Sequence, residues 1–538
     1  MLWRCCLVLI GALCTPVLSK HLSNEEFREQ VSLQTLQDGR VASTFSFNIL
    51  LKDATPREPR TLIFDDESQH YNLFPLALGQ ILREYAVTEL HLTLNAGKWN
   101  YDSWGYPKER DVGTGAALWA WMADGGPTSI DYRWQGLRNA LAGLFCASIG
   151  SLDEQRTTSP VLPFAPEGSL PDWGVEHELR HASLASEHVC TENLTPFLKL
   201  LPCKSLSGIA SLLNPHRLFD ADWHGMGLHV LWNPDAGVEV RLAFQLVSDP
   251  LRISAGKKQD WSFSTLFDRT IERTCPVAQS SIVDVALPRE ALYNISPEPP
   301  RIDQNVAFYD LTNMSEALDV KLKWALDFTY PLDPLKITSM PISVRRTLQG
   351  ASQDRGQLSL VIKNNAPFPL QVLYLETMPW IVQFYLHTMR VSSDTSGDDF
   401  ISNISYVPSV PHSRPATFQA VLTLPTESTV YLTIDVTKAF LRYTEHPPDA
   451  QRGWDLPPAI ILPLSSSNAI RSEFVGRIYT PPLLVDLATP DFSMPYNVIV
   501  FSCSLIAFIF GNIFNLLTRK FVVVRLGSQQ GTSKSKHD

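Results

Sequence analysis

The apolar run NVIVFSCSLIAFIFGNIFNLL, residues 497–517, limits the folds open to this chain more than any other feature. It is long and apolar enough to cross a bilayer, which takes about 20 residues at the helical rise. Arg519, Lys520 and Arg525 follow it, and positive charge marks the cytoplasmic side of a span. The sequence therefore predicts a single transmembrane helix at 497–517 and a cytoplasmic tail at 518–538.

The opening residues, MLWRCCLVLIGALCTPVLSK, have the form of a secretory signal peptide. Arg4 precedes an apolar run, and Val17 and Ser19 are small enough for a cleavage site before Lys20. A buried N-terminal helix is the alternative, but the apolar run follows the initiator closely and ends in small residues. We therefore predict a signal peptide at 1–19 and a single-pass type I protein whose bulk lies in the lumen.

The luminal sequence predicts a mainly β fold with an α/β N-terminal portion. In FPLALGQILREYAVTELHLTL, Pro75 can open a helix, and the apolar residues from Leu90 onward then alternate as they do in a strand. AALWAWM indicates a buried strand, and a second helical pattern starts at Trp134. We assign residues 20–280 to a luminal mixed α/β domain. The net charge of −10 argues against a nucleic-acid partner.

After about residue 280 the apolar period becomes mostly two. The segments QVLYLE, WIVQFYLHTM, FQAVLTL and VYLTIDV are separated by turn-forming stretches such as SSDTSGDD; they span 371–376, 380–389, 418–424 and 430–436. Regularly spaced strands of this kind favour an antiparallel β-sandwich-like domain, which we assign to 281–490. A propeller is the alternative, but no repeat of fixed length supports it.

The motif HELRH, His177 to His181, raises the question of a zinc hydrolase. Two histidines four residues apart bind one zinc ion only on a helix, with the intervening glutamate as general base. The surrounding residues show no apolar stripe at helical spacing, and on a strand the two histidines would lie about 13 Å apart. We therefore interpret HELRH as a strand and expect no metal and no cofactor. Neither G-x-S-x-G in the luminal region nor G-x-G-x-x-G after a strand is present.

The cysteines allow three interpretations. The mature luminal region has Cys146, Cys190, Cys203 and Cys275, and an even number in an oxidising lumen closes by default as two internal bridges. A buried free thiol at Cys146, which follows an apolar helical run, would leave an odd cysteine for an intermolecular bond. Cys190 is then the best candidate, because the sequon at Asn193 predicts a surface position. A nucleophilic Cys190 beside His188 is the third reading, although sequence-adjacent pairs are not usual in such dyads.

Further candidate sites are polar or basic. The luminal side carries N-glycosylation sequons at Asn193, Asn294, Asn313 and Asn403. The C-terminal KSKHD places Lys536 third and Lys534 fifth from the carboxyl end, in the form of a dilysine retrieval signal for the endoplasmic reticulum; a solvated basic tail is the alternative. Asn512 and Asn515 lie within the predicted span. They are candidates for contact with other transmembrane subunits or a lipid headgroup; the alternative is that they are tolerated near the cytoplasmic end of the span without such a contact.

Several long strings resemble the PIG-T subunit family of the GPI transamidase, over residues 30 to 525 or so. They are LFPLALGQIL, CTENLTPFLKLLPC, GKKQDWSFSTLF, TMPWIVQFYLHTM, TPDFSMPYNVIV and NLLTR. The resemblance implies a noncatalytic structural and substrate-positioning subunit, in the endoplasmic reticulum membrane, of the complex that attaches GPI anchors to precursor proteins. It also implies that catalysis belongs to a Cys/His dyad of the caspase-like PIG-K partner, disulfide-linked through the cysteine before TENLTP, which is Cys190 here.

The resemblance further implies contact with other membrane subunits, the GPI lipid and the precursor protein. We also expect Cys203 and Cys275 to form an internal bridge. The alternative function is a free-standing luminal hydrolase that uses Cys190 or a HELRH zinc site.

Overall fold

The structure is a computed structural model, and it describes residues 24–65, 71–254, 256, 258–288, 292–312, 314, 316–326, 340–350, 352–394, 400–446, 453–464, 476–488, 493–519 and 521. Two units are separated by their internal contacts: Met1–Phe440 with Arg452–Leu487, and Leu441–Gln451 with Ala488–Asp538. The signal peptide predicted at 1–19 lies outside the described residues.

Strands and short helices alternate through the N-terminal half. The strands are β1 (Glu25–Thr35), β2 (Val41–Leu51), β3 (Val87–Ala96), β4 (Gly115–Ala123), β5 (Thr157–Thr158), β6 (His177–Leu184), β7 (Trp223–Asn233), β8 (Gly237–Ser248), β9 (Trp261–Ser262), β10 (Ser280–Ala286), β11 (Tyr293–Ser296), β12 (Arg301–Asp303), β13 (Val306–Asp310) and β14 (Lys321–Trp324). The α-helices are α1 (Leu76–Glu84), α2 (Tyr101–Trp104), α3 (Ile130–Phe145), α4 (Thr191–Leu200), α5 (Pro215–Leu218), α6 (Pro250–Ile253) and α7 (Phe263–Phe267).

Short 3₁₀ turns connect these elements, at Pro59–Ile63, Ser148–Ser151, Glu154–Arg156 and Ile209–Leu212. The helices predicted from Pro75 and around Trp134 are confirmed as α1 and α3. Pro75 immediately precedes α1, and the Ser129 hydroxyl caps α3 by accepting a hydrogen bond from the Tyr132 backbone N–H.

One large sheet organises this half of the chain. Its order is β12-β13-β10-β1-β2-β8-β7-β3-β4-β6-β5, and a smaller sheet has the order β11-β14-β9. Neighbours in the large sheet are antiparallel except β1 and β10, which pair in parallel. Helices cover one face, where Phe197 of α4 lies against Phe244 of β8 with ring centroids 6.4 Å apart. The α/β character predicted for the N-terminal portion is confirmed.

Strand β4 is buried on both faces, which explains its continuous apolar sequence AALWAWM. Leu118, Ala120 and Met122 belong to the main core under the helices. Trp119 and Trp121 point the other way and join a second cluster with residues of the C-terminal strands, including Leu375 and Ile460.

The C-terminal half is built from antiparallel strands. They are β15 (Ile342–Gln349), β16 (Arg355–Asn364), β17 (Leu370–Met378), β18 (Val382–Phe384), β19 (Arg390–Ser393), β20 (Ile401–Val407), β21 (Ala416–Leu424), β22 (Thr429–Lys438), β23 (Trp454–Leu456), β24 (Ile460–Leu464), β25 (Ile478–Tyr479) and β26 (Leu483–Val485). One sheet runs β15-β16-β22-β18, with β19 also paired to β22, and another runs β20-β21-β17-β24-β25; β23 pairs with β26.

Buried residues alternate along most of β16, β21 and β22, and the buried faces of the two larger sheets meet. Phe384 of β18 contacts Phe418 of β21, with ring centroids 6.4 Å apart. Arg346 of β15 donates to Glu376 of β17 at 2.5 Å, and both side chains are fully buried. The two contacts join the sheets as layers of a sandwich, which confirms the mainly β class with sandwich-like sheets.

One predicted strand is shorter than expected. WIVQFYLHTM, 380–389, contributes only Val382–Phe384, after which Leu386–Thr388 forms a 3₁₀ turn. The chain bends before the strand, because the Val382 N–H donates to the Pro379 carbonyl at 2.9 Å, and again after it, because the Thr388 N–H donates to the Tyr385 carbonyl at 2.9 Å. Alternation of apolar residues does not reveal such bends.

In the second unit, residues Tyr443–Glu445 form a short 3₁₀ turn and α8 (Ser493–Thr518) is a long apolar helix. Within Tyr496–Thr518 an 18-residue window has a mean hydropathy of 2.0, and the helix is long and apolar enough to cross a membrane. The C-terminal apolar helix predicted from the sequence is confirmed.

Candidate functional site

Cys190 occupies the N-cap of α4, and its thiol is free and half-buried. The backbone N–H of Cys190 donates to Asn193 Oδ1 at 2.8 Å, and its Sγ–H donates to the same oxygen at 3.1 Å. Burial raises the pKa of the thiol, and hydrogen bonding to Glu192 raises it further. A nucleophilic cysteine needs a lowered pKa, so the geometry gives no support to the enzymatic reading of Cys190.

Asn193 was expected on the surface as a glycosylation site, and this expectation is wrong. Its side chain has 0 % exposure. The Nδ2 atom, to which a glycan would be attached, donates to the carbonyls of Phe145 at 2.8 Å and Cys146 at 3.3 Å. A glycan has no room there, and the amide instead ties the N-terminus of α4 to the C-terminus of α3. The partial exposure of Cys190 therefore does not follow from a surface position of Asn193, from which it was inferred.

The other sequons differ in position. Asn294 lies on β11 and Asn403 on β20, and both side chains are exposed, so each leaves room for a glycan. Asn403 stands at an irregularity of the β20–β21 pairing with φ +50°. Asn313 lies outside the described residues, as do Lys534 and Lys536 of the tail.

Cys203 and Cys275, 72 positions apart in the sequence, form a disulfide with their Cα atoms 5.9 Å apart. The bridge joins the segment after α4 to the segment before β10, and Cys275 is buried in the main core.

Cys146 differs from expectation: it is a free thiol, as supposed, but it is exposed and not buried. The apolar periodicity of α3 stops at Phe145, and Cys146 lies beyond it with φ 52° and ψ 41°, a left-handed conformation that turns the chain outward.

The HELRH segment is a strand, β6, as the sequence analysis expected. His181 is buried, stacks on Phe164 with ring centroids 4.2 Å apart, and lies 3.3 Å from the Thr158 hydroxyl. Burial lowers its pKa to about 3. His177 stacks on Trp173 and Glu178 pairs with Arg180, so the three motif residues have separate surroundings. Over the described residues no group of three or more His, Cys, Asp or Glu is placed to hold a metal ion.

A buried ionic cluster, not predicted from the sequence, joins the two halves of the first unit. Arg477, beside β25, donates to Asp111 Oδ1 at 2.9 Å and to the Pro163 carbonyl at 2.8 Å, and it lies 3.5 Å from Glu167. Its guanidinium carbon lies 4.8 Å from the Phe164 ring centroid. Tyr479 completes the cluster, since its hydroxyl donates to the same Asp111 oxygen at 2.7 Å.

The charges in this cluster stabilise each other away from water. Burial by itself would raise the pKa of Asp111, but Arg477, His229 and the Tyr479 hydroxyl hold it well below its ordinary value. Burial would likewise lower the pKa of Arg477, and Asp111 more than reverses this effect. The pair is therefore ionised, and it fixes the β25 segment against the large sheet.

A histidine pair extends the cluster into the sheet. His91 Nδ1 lies 2.8 Å from His229 Nδ1, and His91 Nε2 lies 2.9 Å from Glu89. Burial lowers the pKa of His91 to about 4 and that of His229 to about 3, and it raises the pKa of Glu89. Glu89 also accepts the backbone N–H groups of Glu167 and Gly168, both at 2.9 Å. The residues are enclosed, and their contacts support a structural role.

Asn512 and Asn515 lie one turn apart on α8. The Asn512 amide donates to the Phe508 carbonyl at 3.0 Å, and both asparagines are exposed in the described chain. Their contacts to other subunits or to lipid stay a prediction.

The fold and these sites define a mainly β protein with an apolar C-terminal helix and a free thiol on the surface of its folded unit. The family model described as "Gpi16 subunit, GPI transamidase component" matches residues 11–254 and 248–537. The chain is 34 % identical over 541 residues to GPI-anchor transamidase component PIGT of Mus musculus, covering 92 % of this chain and 90 % of that one. It therefore belongs to the Gpi16/PIGT family of GPI transamidase components, as the sequence resemblance indicated.

Two further relatives agree. The chain is 34 % identical over 546 residues to the corresponding component of Homo sapiens, covering 92 % of this chain and 91 % of that one. It is 30 % identical over 531 residues to the GPI transamidase component PIG-T homolog of Schizosaccharomyces pombe, covering 96 % and 94 %. Family membership together with the apolar helix α8 describes a membrane-anchored component of that complex.

Proposed function

We propose that this chain is the noncatalytic structural and substrate-positioning subunit of a GPI transamidase, anchored in the endoplasmic reticulum membrane with its folded unit in the lumen. The single observation that carries the proposal is the free, half-buried thiol of Cys190 at the N-cap of α4, in a chain that belongs to the family. Cys190 bonds to the caspase-like PIG-K catalytic subunit through an interchain disulfide.

The surroundings of Cys190 suit a tether. Two hydrogen bonds to the buried Asn193 amide fix the position of the cysteine, and Asn193 is in turn held by the end of α3. The position of the thiol is therefore set by two packed helices and not by a flexible loop. A covalent link at such a point holds the catalytic subunit at high effective concentration.

A noncatalytic role is supported by the chemistry of the candidate residues. The raised pKa of Cys190 keeps its thiol protonated, and His181 of HELRH is enclosed by Phe164 and Thr158. The residues of the Arg477 cluster satisfy one another. Each of these sites is explained by structure, and no observation favours the hydrolase alternative.

Membrane topology and retrieval to the endoplasmic reticulum are also part of the proposal. The α8 span is followed by Arg519 and Lys520, so the folded unit faces the lumen, where the exposed Asn294 and Asn403 can carry glycans. Lys534 and Lys536 supply retrieval to the endoplasmic reticulum. Asn512 and Asn515 provide polar contacts within the membrane to other subunits or to the GPI headgroup.

The test is purification of the tagged full-length chain from membranes in mild detergent. The proposal expects co-purifying membrane subunits, transamidase activity in the complex, and none in the chain isolated from its partners. Glu178→Gln and His181→Gln are assayed in the assembled complex, where both should retain activity. Zinc bound at one ion per chain and lost on His181→Gln, or hydrolysis by the isolated chain, would overturn the noncatalytic role.

A further inference from the structure

Two free thiols occupy adjoining helix ends on the first unit. Cys146 follows the last residue of α3, and Cys190 precedes the first residue of α4. Among the described residues the cysteines outside disulfides are these two and Cys503, which lies on α8 in the other unit. The pairing of α3 with α4 therefore brings Cys146 and Cys190 into one neighbourhood.

A single side-chain amide spans the gap between them. Asn193 Nδ2 donates to the Cys146 carbonyl at 3.3 Å, while Asn193 Oδ1 accepts the Cys190 thiol at 3.1 Å. The two polar atoms of an amide are roughly 2.3 Å apart, so the Cys190 sulfur lies within about 9 Å of the Cys146 carbonyl oxygen. The cysteines are thus neighbours in space although 44 positions separate 146 from 190 in the sequence.

A second contact closes the other side of this neighbourhood. The backbone N–H of Ser148 donates to Glu187 Oε1 at 2.9 Å. Segment 146–148 therefore runs beside segment 187–190, held at Ser148–Glu187 and at Cys146–Asn193. Neither cysteine is inside its helix. A disulfide requires Cα atoms 4.4–6.8 Å apart, so a bridge here forms with a backbone shift of these two short segments and releases the Cys190 thiol from Asn193 Oδ1.

We propose that Cys146 and Cys190 form a second disulfide site, an internal bridge that is alternative to the interchain bond of Cys190. The exchange is balanced without an added oxidant: the Cys146 thiolate attacks the Cys190 sulfur of the mixed disulfide, the Cys146–Cys190 bond forms, and the partner's thiolate leaves and takes up a proton. This part rests on the proposed function, because it requires Cys190 to be the tether.

The bridge itself does not need the partner. With glutathione disulfide as oxidant, one of the two thiolates first exchanges with it and releases one glutathione thiol, and the other cysteine then displaces the second. Cys146 is the exposed thiol of the two, which suits it to the attack on a sulfur held at the N-cap of α4. The internal bridge protects Cys190 in chains that have not met their partner and gives a route for releasing the partner afterwards.

The first experiment uses the full-length chain, purified in detergent without partner subunits, equilibrated with glutathione disulfide and then acid-quenched, alkylated and digested. Mass spectrometry should find a Cys146–Cys190 linked peptide in the wild type and in Cys503→Ser. In Cys146→Ser, Cys190 should accumulate as a glutathione adduct. Separate glutathione adducts on Cys146 and Cys190 in the wild type, with no linked peptide, would overturn the proposal.

The second experiment uses the complex from membranes, handled without reductant. If Cys190 is the tether, the covalent species should decay at neutral pH in the wild type, leaving the Cys146–Cys190 peptide, and should decay at least about tenfold more slowly in Cys146→Ser. Equal decay in both chains would reject the exchange. A complex that is not covalent in either chain would reject the tether alone, because the first experiment tests the bridge independently.

Discussion

Asp111 and Arg477 are 366 residues apart in the sequence and form a buried ion pair with an N–O distance of 2.9 Å. Their side chains are 8 % and 9 % exposed, and Tyr479 donates to the same carboxylate. The pair joins the loop before β4 to the segment at β25, so it holds the C-terminal sheet against the large N-terminal sheet.

The Asp111–Arg477 pair should contribute strongly to stability. Arg477→Met leaves the Asp111 carboxylate buried without its partner, and we expect the free energy of unfolding to fall by about 3–5 kcal/mol. Combining Arg477→Met with Asp111→Asn should cost less than the sum of the single changes, because the two residues interact directly. Denaturant unfolding of the detergent-solubilised chain, followed by tryptophan fluorescence, measures each value.

Arg301 provides the matched control for that series. It pairs with Asp303 at 3.0 Å, but the two side chains are 71 % and 53 % exposed. Arg301→Gln should therefore change the unfolding free energy by less than about 0.5 kcal/mol. Loss of less than about 1 kcal/mol in Arg477→Met, or strict additivity of the double change, would contradict the role given to the buried pair.

Stability should fall as the pH is lowered from 7 to 5.5, and His181 should account for part of the loss. Its pKa is lowered to about 3 by burial, so in this range the unfolded chain takes up a proton at His181 that the folded chain does not. Protonation thus favours unfolding, by about 1 kcal/mol for one such histidine between these pH values.

The comparison is between the pH dependence of the melting temperature in the wild type and in His181→Gln, with the exposed His216→Gln as control. The His181 variant should lose part of the slope whatever its absolute stability, and the control should keep it. An unchanged slope in His181→Gln would show that the ring is not buried and neutral in the folded chain.

Glycosylation should bypass Asn193. Thr195→Ala removes the sequon but touches only an exposed hydroxyl, which donates to the Thr191 carbonyl at 3.1 Å. We expect an unchanged glycan number and a stability within about 0.5 kcal/mol of wild type. Asn193→Ala should also keep the glycan number but lose about 2–3 kcal/mol, because buried carbonyls lose their donor.

Enzymatic deglycosylation followed by electrophoresis gives the glycan count. Asn294→Gln and Asn403→Gln, at exposed sequons, should each remove one step from the pattern. A step lost in Thr195→Ala would mean that Asn193 is modified and that the α3–α4 junction differs from the one described.

Retrieval to the endoplasmic reticulum should depend on Lys534 and Lys536, since the distance of lysines from the carboxyl end is what a coat receptor reads. Changing both to serine, or appending residues after Asp538, should let a reporter that carries this tail reach the cell surface. A reporter that stays inside in both forms would show that the span or assembly retains the protein and that KSKHD is a basic tail without this role.

The sequence predicted the elements whose signal is local. Pro75 and the apolar spacing after it predicted α1, the absence of a helical stripe around HELRH predicted β6, and the hydropathy of 497–517 predicted α8. Each of these features depends on neighbours a few residues away, which is the range over which helical and strand periodicity acts.

Features that depend on residues distant in the sequence could not be predicted from these local patterns. Nothing in the local pattern shows that β10 returns to pair in parallel with β1, or that Arg477 reaches Asp111. Asn193 is the clearest case, because a sequon indicates a surface asparagine while the packing of α3 against α4 buries this one. Whether an Arg or Asp is an exposed surface charge or part of a buried ion pair is decided by the tertiary fold.

The interchain bond of Cys190 is tested most directly by disulfide mapping in the complex isolated from membranes without reductant and acid-quenched at once, before exchange with Cys146 proceeds. We predict a reductant-sensitive species of higher mass that contains the caspase-like subunit, with a Cys190 peptide joined to a partner peptide. In Cys190→Ser the species should disappear while both chains stay folded and activity falls without vanishing, because noncovalent contacts remain. A covalent species that persists in Cys190→Ser but is lost in Cys203→Ser would contradict the account and place the tether at Cys203.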